Sequence, residues 1–188
     1  MFKVNKGSEP IEFTEYNRKN QIINWNSYDH GIKETLRKKL LEEQEESCCP
    51  YCEIKISLEK SQIEHIKPKD KFPQLLNDYE NFIACCKNNQ RCGAMKSNKW
   101  DDLFINPVIE NPEEYFKYDI KTGRILPLFD SGNHFNRANI TIEILHLNEN
   151  RIVAMRKKYI HYYLYSPECR EYLDYFPSLK RFLEKSIK

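Results

Sequence analysis

The chain has 188 residues, a net charge of +2, and five glycines against 13% aromatic residues. This is enough for one compact domain with a real core, and it excludes a disordered chain and two full domains. The sequence contains no run of 18 apolar residues, the length needed to span a membrane, and its first residues lack the apolar stretch of a secretory signal. We therefore expect a cytoplasmic protein.

The charge is distributed unevenly along the chain. Residues 48–100 carry nine basic against six acidic side chains, and residues 151–188 carry nine against four, whereas residues 101–150 are acidic. The two basic segments are candidate surfaces for a polyanion. For the carboxy-terminal segment, a solvated helical face is the alternative interpretation.

The first predicted unit, residues 1–47, is an amino-terminal arm followed by a helix. The first thirty residues show no apolar period, which predicts a mostly irregular arm. From about Asp29 to Glu46, apolar residues recur at helical spacing and predict an amphipathic helix.

Six of the seven cysteines follow this helix, between Cys48 and Cys92. An odd total, with most of the cysteines clustered, suits metal ligation in a reducing compartment better than a secreted disulfide framework. The pair Cys49 and Cys52, spaced to bind one ion from a tight turn, together with Cys86 and Cys92, predicts a four-thiolate structural zinc site. Neighbouring Cys48 and Cys85 could exchange places with two of these ligands.

Between the cysteine pairs, the segments Glu53–Ile56 and Gln62–Ile66 predict a hairpin with His65 at its far end. Adjacent strand residues point to opposite faces, so Glu64 and His65 can share a site only where the strand ends, and Pro68 is placed to end it. A histidine can take a proton from water near neutral pH, and a carboxylate can bind a hard divalent ion. Together they predict phosphodiester hydrolysis, with a core histidine beside a surface glutamate as the alternative.

The last predicted unit, residues 101–188, is a hairpin followed by mostly helical chain. Pro112 suits a helix start, and Lys121-Thr122-Gly123 suits the turn of a hairpin. Helices are predicted over 136–147 and from 150 to about 165, with a last helix after Pro177. All three units are expected to form a single compact body.

The core segment resembles the HNH endonucleases, on the stretches Ile63-Glu64-His65-Ile66-Lys67-Pro68, Asp78 to Cys86 and Cys92-Gly93-Ala94-Met95-Lys96. It is most similar to the PtuB-like group of the Septu and retron antiphage systems, and the similarity extends loosely over most of the chain. The fold implied is α+β: a ββα-metal finger over residues 48–100 with a four-cysteine structural zinc, embedded in and followed by α-helices.

The resemblance also implies residue roles. His65 would be the general base, Glu64 would hold a catalytic Mg²⁺ or Mn²⁺, and Asn81 would orient the His65 loop. The implied product carries a 5′-phosphate. Candidate phosphate contacts are Lys67, Lys69 and Lys96, with Lys87 and Arg91 nearby.

One position departs from the family pattern. Many HNH proteins have an asparagine after the last zinc cysteine as a second metal ligand, whereas this chain has Gly93. Asn88, Asn89 or Gln90 could substitute for it, and the sequence does not choose among them.

The function implied is metal-dependent cleavage of nucleic acid, DNA being favoured over RNA, by the nuclease subunit of a Septu or retron-type system. The implied partners are an ABC or SMC-like ATPase of the PtuA type and, as a further candidate, a retron reverse transcriptase with its RNA–DNA; no membrane is involved. Candidate docking surfaces are residues 101–150 and 159–176. The alternative is an inactive, zinc-stabilised module that binds nucleic acid or a protein.

Overall fold

The computed structural model describes residues 1–186, so the last two residues of the predicted carboxy-terminal unit, 187–188, lie outside the described chain. The described residues form a mixed structure of helices and short strands. In chain order these are α1 Ile11–Lys19, α2 His30–Glu42, β1 Ser61–His65, β2 Phe82–Cys86, α3 Gly93–Lys96, β3 Phe116–Tyr118, β4 Ile125–Pro127, α4 Gly132–Leu145, α5 Asn150–Tyr165 and α6 Pro177–Ser186.

The amino-terminal segment is more ordered than the sequence predicts. The prediction of an irregular arm is wrong for α1, which begins after Pro10 and buries Phe13. Because only one of the nine side chains of α1 is buried, its sequence has almost no apolar repeat from which a helix could be predicted. Helix α2 forms as predicted and begins after Asp29, whose carboxylate accepts a hydrogen bond from the Gly31 amide at 2.7 Å.

Strands β1 and β2 form an antiparallel pair, in register from Ser61 opposite Cys86 to His65 opposite Phe82. The predicted pairing of Glu53–Ile56 with Gln62–Ile66 is therefore wrong. In the first segment, only Lys55 makes an isolated bridge, to Cys48. All five residues of β2 are buried, and a fully apolar strand gains more from pairing in the core than a segment with alternating charges.

The carboxy-terminal elements follow the prediction more closely. Strands β3 and β4 form the expected hairpin, and Gly123 in its turn has φ +78°, a conformation that favours glycine. Helices α4 and α5 are separated at His146, which is left-handed (φ 52°). The helix expected after Pro112 is only one 3₁₀ turn, Pro112–Glu114.

One continuous cluster of buried residues extends from Met1 to Leu183 and includes six of the cysteines. Within it, the buried Glu53 carboxylate accepts hydrogen bonds from the Tyr118 hydroxyl and the Ser178 amide, each at 2.8 Å. Three distant parts of the chain therefore meet at one carboxylate. Within residues 1–186, no helix combines the length and apolar character needed to cross a membrane.

Candidate active site and metal centre

Four cysteines, one of them the last residue of β2, lie close together in space. The sulfurs of Cys49, Cys52, Cys86 and Cys92 all lie within 4.8 Å of one another, and all four residues are buried. The Sγ atoms of Cys49 and Cys92 are 3.9 Å apart, and those of Cys52 and Cys86 are 3.7 Å apart. A tetrahedral zinc with Zn–S bonds of about 2.3 Å separates its sulfurs by roughly 3.8 Å. The cluster therefore has the dimensions of a four-thiolate metal site.

The electrostatics of the cluster also suit a cation. Burial raises the pKa of the Cys49 and Cys92 thiols, whereas hydrogen bonds from neighbouring sulfurs lower the pKa of Cys52. Arg91 lies beside the cluster: burial acts against its charge, but the Cys52 sulfur raises its pKa overall. Four thiolates carry more negative charge than one guanidinium can balance, so a divalent ion is the natural counter-charge.

The two remaining cysteines of this region lie outside the cluster. The Cys48 thiol contacts the Asp174 carbonyl, and the Cys85 thiol receives a contact from Gln62 Nε2 at 3.6 Å. Cys85 and Cys86 are adjacent in β2 and face opposite sides of the strand, which places only one of them in the cluster. Of each adjacent pair, the cluster therefore contains Cys49 and Cys86.

His65 is the last residue of β1 and is 9% exposed. Its ring packs edge-on against Trp25 at 4.6 Å and Phe82 at 4.8 Å between ring centroids. Nε2 lies 3.1 Å from the Leu76 carbonyl; because a carbonyl only accepts, Nε2 carries the proton and Nδ1 is left as the acceptor nitrogen. Burial, against the effect of the Leu76 bond, lowers the pKa of His65 to about 4. The ring is therefore neutral at pH 7.

Glu64 is also 9% exposed, and its Oε1 atom accepts a hydrogen bond from Lys96 Nζ at 2.8 Å. Burial raises the pKa of Glu64, and the Lys96 ammonium opposes that rise. Glu64 and His65 line the same cleft of about 210 Å³, together with Trp25, Ile63, Pro68, Lys69, Ser97 and Asn98. The strand ends at His65, which lets the two adjacent side chains reach one space.

Asn81 is buried just before β2 and is bonded to the chain that follows His65. Its Oδ1 accepts from the Lys67 amide at 2.8 Å, and its Nδ2 donates to the Lys67 carbonyl at 3.0 Å. Nδ2 also donates a hydrogen bond to the Leu75 carbonyl at 3.3 Å. The Asn81 side chain thus joins the loop after His65 to the segment that carries the Leu76 carbonyl.

Gly93 fits against Glu64 because it has no side chain. A Cβ at this position would lie 2.5 Å from Glu64 Oε2 and 2.9 Å from Cys85 Sγ. Asparagine could not occupy this place without moving the carboxylate. Asn89 and Gln90 line a different cleft, near His146, and among the described residues neither they nor Asn88 line the Glu64–His65 cleft.

The predicted phosphate contacts have different surroundings. Lys69 lines the cleft beside Glu64. Lys67 is half-buried, with Nζ 5.4 Å from the Phe72 ring centroid. Lys96 is 1% exposed and bonded to Glu64 rather than free at the surface. Arg91 is likewise buried, 3.2 Å from Glu149.

Three features of the site were not predicted from the sequence. Trp25 belongs to the amino-terminal segment, and its contact with His65 spans forty positions. The Leu76 carbonyl is a backbone group, so residue type gives no signal for it. The Lys96–Glu64 pair was also unforeseen, although both residues lay within the recognised core.

These features define a protein of mixed helices and strands in which four buried thiols, spaced as metal ligands, lie beside a cleft with a neutral histidine and a carboxylate. A protein of Vibrio cholerae serotype O1 biovar El Tor, described as a candidate HNH endonuclease of retron Vc95, is 32% identical over 178 residues, covering 88% of this chain and 85% of that protein. The Septu protein PtuB of Bacillus thuringiensis is 31% identical over 126 residues, covering 63% of this chain and 44% of that protein. No family model matches the chain. The chain belongs to the HNH endonucleases of the Septu and retron type.

Proposed function

We propose that this protein hydrolyses phosphodiester bonds at the Glu64–His65 cleft with a divalent metal ion. The observation that carries the proposal is the state of His65: a neutral ring whose Nε2 proton is held by the Leu76 carbonyl, in the same cleft as a buried carboxylate. We further propose that residues 48–100 form a ββα-metal core of β1, β2 and α3, flanked by residues 1–47 and 101–188.

In this mechanism, His65 Nδ1 accepts a proton from the attacking water as the water approaches phosphorus. The Trp25 and Phe82 contacts hold the ring in one orientation, and the Leu76 bond holds one tautomer. Asn81 acts as a positioning residue, because it joins the loop after His65 to the Leu75–Leu76 backbone. Lys69 at the cleft wall is placed to contact the phosphate.

The donor set of the cleft fits Mg²⁺ or Mn²⁺. These ions commonly use one or two carboxylates, with water and substrate phosphate oxygens completing the shell, and Glu64 supplies one buried carboxylate. When bound, such an ion stabilises the negative charge that develops on the phosphate and the leaving oxygen. Departure of the 3′-oxygen leaves the product with a 5′-phosphate.

We propose zinc as the ion of the four-cysteine cluster. The sulfur separations match tetrahedral zinc, and four protein ligands leave no position open for substrate. The role of this ion is structural: Cys86 ends β2 and Cys92 directly precedes α3, so the ion fixes the hairpin against the helix.

The family relationship supports a role in antiphage defence, with DNA favoured over RNA as substrate. We propose a PtuA-type ATPase of the ABC or SMC-like class as the partner, and a retron reverse transcriptase with its RNA–DNA as a further one. Of the predicted aromatic docking region, Tyr159 and Phe176 are buried in the core. Tyr165 and Tyr172 are each 73% exposed, so these aromatic side chains of the region can meet a partner.

The test is cleavage of plasmid, single-stranded DNA and total RNA by zinc-loaded protein, with Mg²⁺, Mn²⁺ or EDTA, in the presence and absence of the ATPase. His65→Ala is the inactivating variant. His30→Ala, which removes an exposed histidine, is the matched control. We expect divalent-dependent cutting that His65→Ala abolishes and His30→Ala retains. Nucleic-acid binding without cutting in every condition would instead support the inactive binding module.

A further inference from the structure

The Glu64 carboxylate is enclosed on both oxygens. Oε2 packs so closely on Gly93 that a Cβ there would be only 2.5 Å away. Oε1 accepts the hydrogen bond from Lys96 at 2.8 Å. A cation approaching Glu64 therefore meets the backbone of α3 at one oxygen and an ammonium group at the other.

Lys96 is buried to an unusual degree for a lysine, with 1% exposure. Its Nζ atom donates to Glu64 Oε1 and, at 2.9 Å, to the backbone carbonyl of His65. A buried ammonium needs a paired negative charge and several acceptors, and both acceptors here come from the two residues of the active-site cleft. Lys96 thus supplies the positive charge that is paired with Glu64.

A divalent ion that ligates Oε1 would meet this ammonium in direct contact, and like charges at such separations in a buried site repel strongly. The residues that follow α3 lie at the wall of the cleft. Ser97, the next residue, has φ 45°, a strained backbone for serine, and Ser97 and Asn98 line the cleft. The backbone directly after Lys96 is therefore strained and borders the cleft.

We propose that Lys96 is an internal counter-ion that holds Glu64 in place and that the catalytic divalent ion displaces it. This inference rests on the proposed function, because it concerns the cation site of that reaction. The displaced ammonium then faces the cleft, where it can contact the phosphate of a bound nucleic acid. Before the metal ion binds, Lys96 is therefore a positioning residue that holds the Glu64 carboxylate.

The first test is amine labelling of zinc-loaded wild-type protein with acetic anhydride, followed by mass spectrometry, in the absence and presence of saturating Mn²⁺. Lys99 is exposed and three residues away, so it is the internal control. We expect Mn²⁺ to raise labelling of Lys96 by about tenfold or more, since the amine passes from full burial to the open cleft, and to leave Lys99 unchanged. Lys96 that stays protected while Mn²⁺ is bound would overturn the inference and leave the proposed function standing.

The second test is direct titration of Mn²⁺ into zinc-loaded wild type, Lys96→Met and Glu64→Gln, with thermal melting as the check on folding. Removing the competing charge should tighten Mn²⁺ binding by about tenfold or more in Lys96→Met, and Glu64→Gln should lose this binding. Equal affinity in wild type and Lys96→Met would contradict displacement. Failure of both proteins to bind Mn²⁺ would overturn the proposed catalytic metal, and the inference with it.

Discussion

Replacing Gly93 by alanine should disable the nuclease through a single added methyl group. The new Cβ would lie 2.5 Å from Glu64 Oε2 and 2.9 Å from Cys85 Sγ, about 1 Å closer than the roughly 3.5 Å at which non-bonded heavy atoms pack. The carboxylate can move away from the new methyl group only by disturbing the bond between its other oxygen and Lys96. Overpacking of this kind destabilises a protein by about 1–3 kcal/mol, and a shift of about 1 Å in a catalytic group lowers turnover by roughly 10²-fold.

The assay compares initial rates of plasmid cleavage in Mg²⁺, with melting temperature and zinc content measured on the same samples. At roughly 2–4 °C per kcal/mol for a chain of this size, the melting temperature should fall by about 2–12 °C. Ala94→Ser is the matched control, since it adds one atom at the next, exposed position of α3. Gly93→Ala protein that keeps wild-type rate and stability would refute the claim that Gly93 is required by its contact with Glu64.

Three further outcomes follow from the site. Asn81→Ala leaves the Lys67 amide and carbonyl without their partner and should lower the free energy of unfolding by about 1–3 kcal/mol; a urea titration that matches wild type would contradict this. Because the folded pKa of His65, about 4, lies below the unfolded value near 6.5, the unfolded chain binds more protons between these values. The stability advantage of wild type over His65→Gln should therefore shrink by up to about 3 kcal/mol as the pH falls from 7 to 4, and a pH-independent difference would argue against a buried neutral ring. Cys52→Ser should lose bound zinc and melt earlier, whereas Cys48→Ser, outside the cluster, should retain zinc; metal analysis separates the two.

The parts of the fold that spacing in the sequence encodes were predictable. Helix α2 and the Gly123 turn each depend on residues that are neighbours in sequence, and the structure has both. The cysteine cluster was predictable from the short spacing within each of its two pairs, and the structure brings the two pairs together. Helix α5 was predicted with its observed bounds because Ile152, Tyr159 and other buried residues repeat at helical spacing.

The parts that depend on competition between distant segments were not predictable. The partner of β1 was decided by the greater burial of Phe82–Cys86 over Glu53–Ile56, which is a property of the assembled core. The Trp25–His65 contact joins two elements with no shared local pattern. Gly93 was recognised as a departure from its family, but the reason for it, the close approach of Glu64, required coordinates.

The four-cysteine cluster has a consequence for how active molecules arise. Its first and last ligands, Cys49 and Cys92, bracket the entire stretch that carries Glu64, His65 and Asn81. That stretch contributes a hairpin of two five-residue strands, which is marginally stable without support. If zinc occupies the cluster as proposed, we expect binding of the ion and assembly of the cleft to be one event during folding. On that proposal, a shortage of zinc would leave unfolded protein rather than a slower enzyme, and the number of active nuclease molecules would follow the zinc supply.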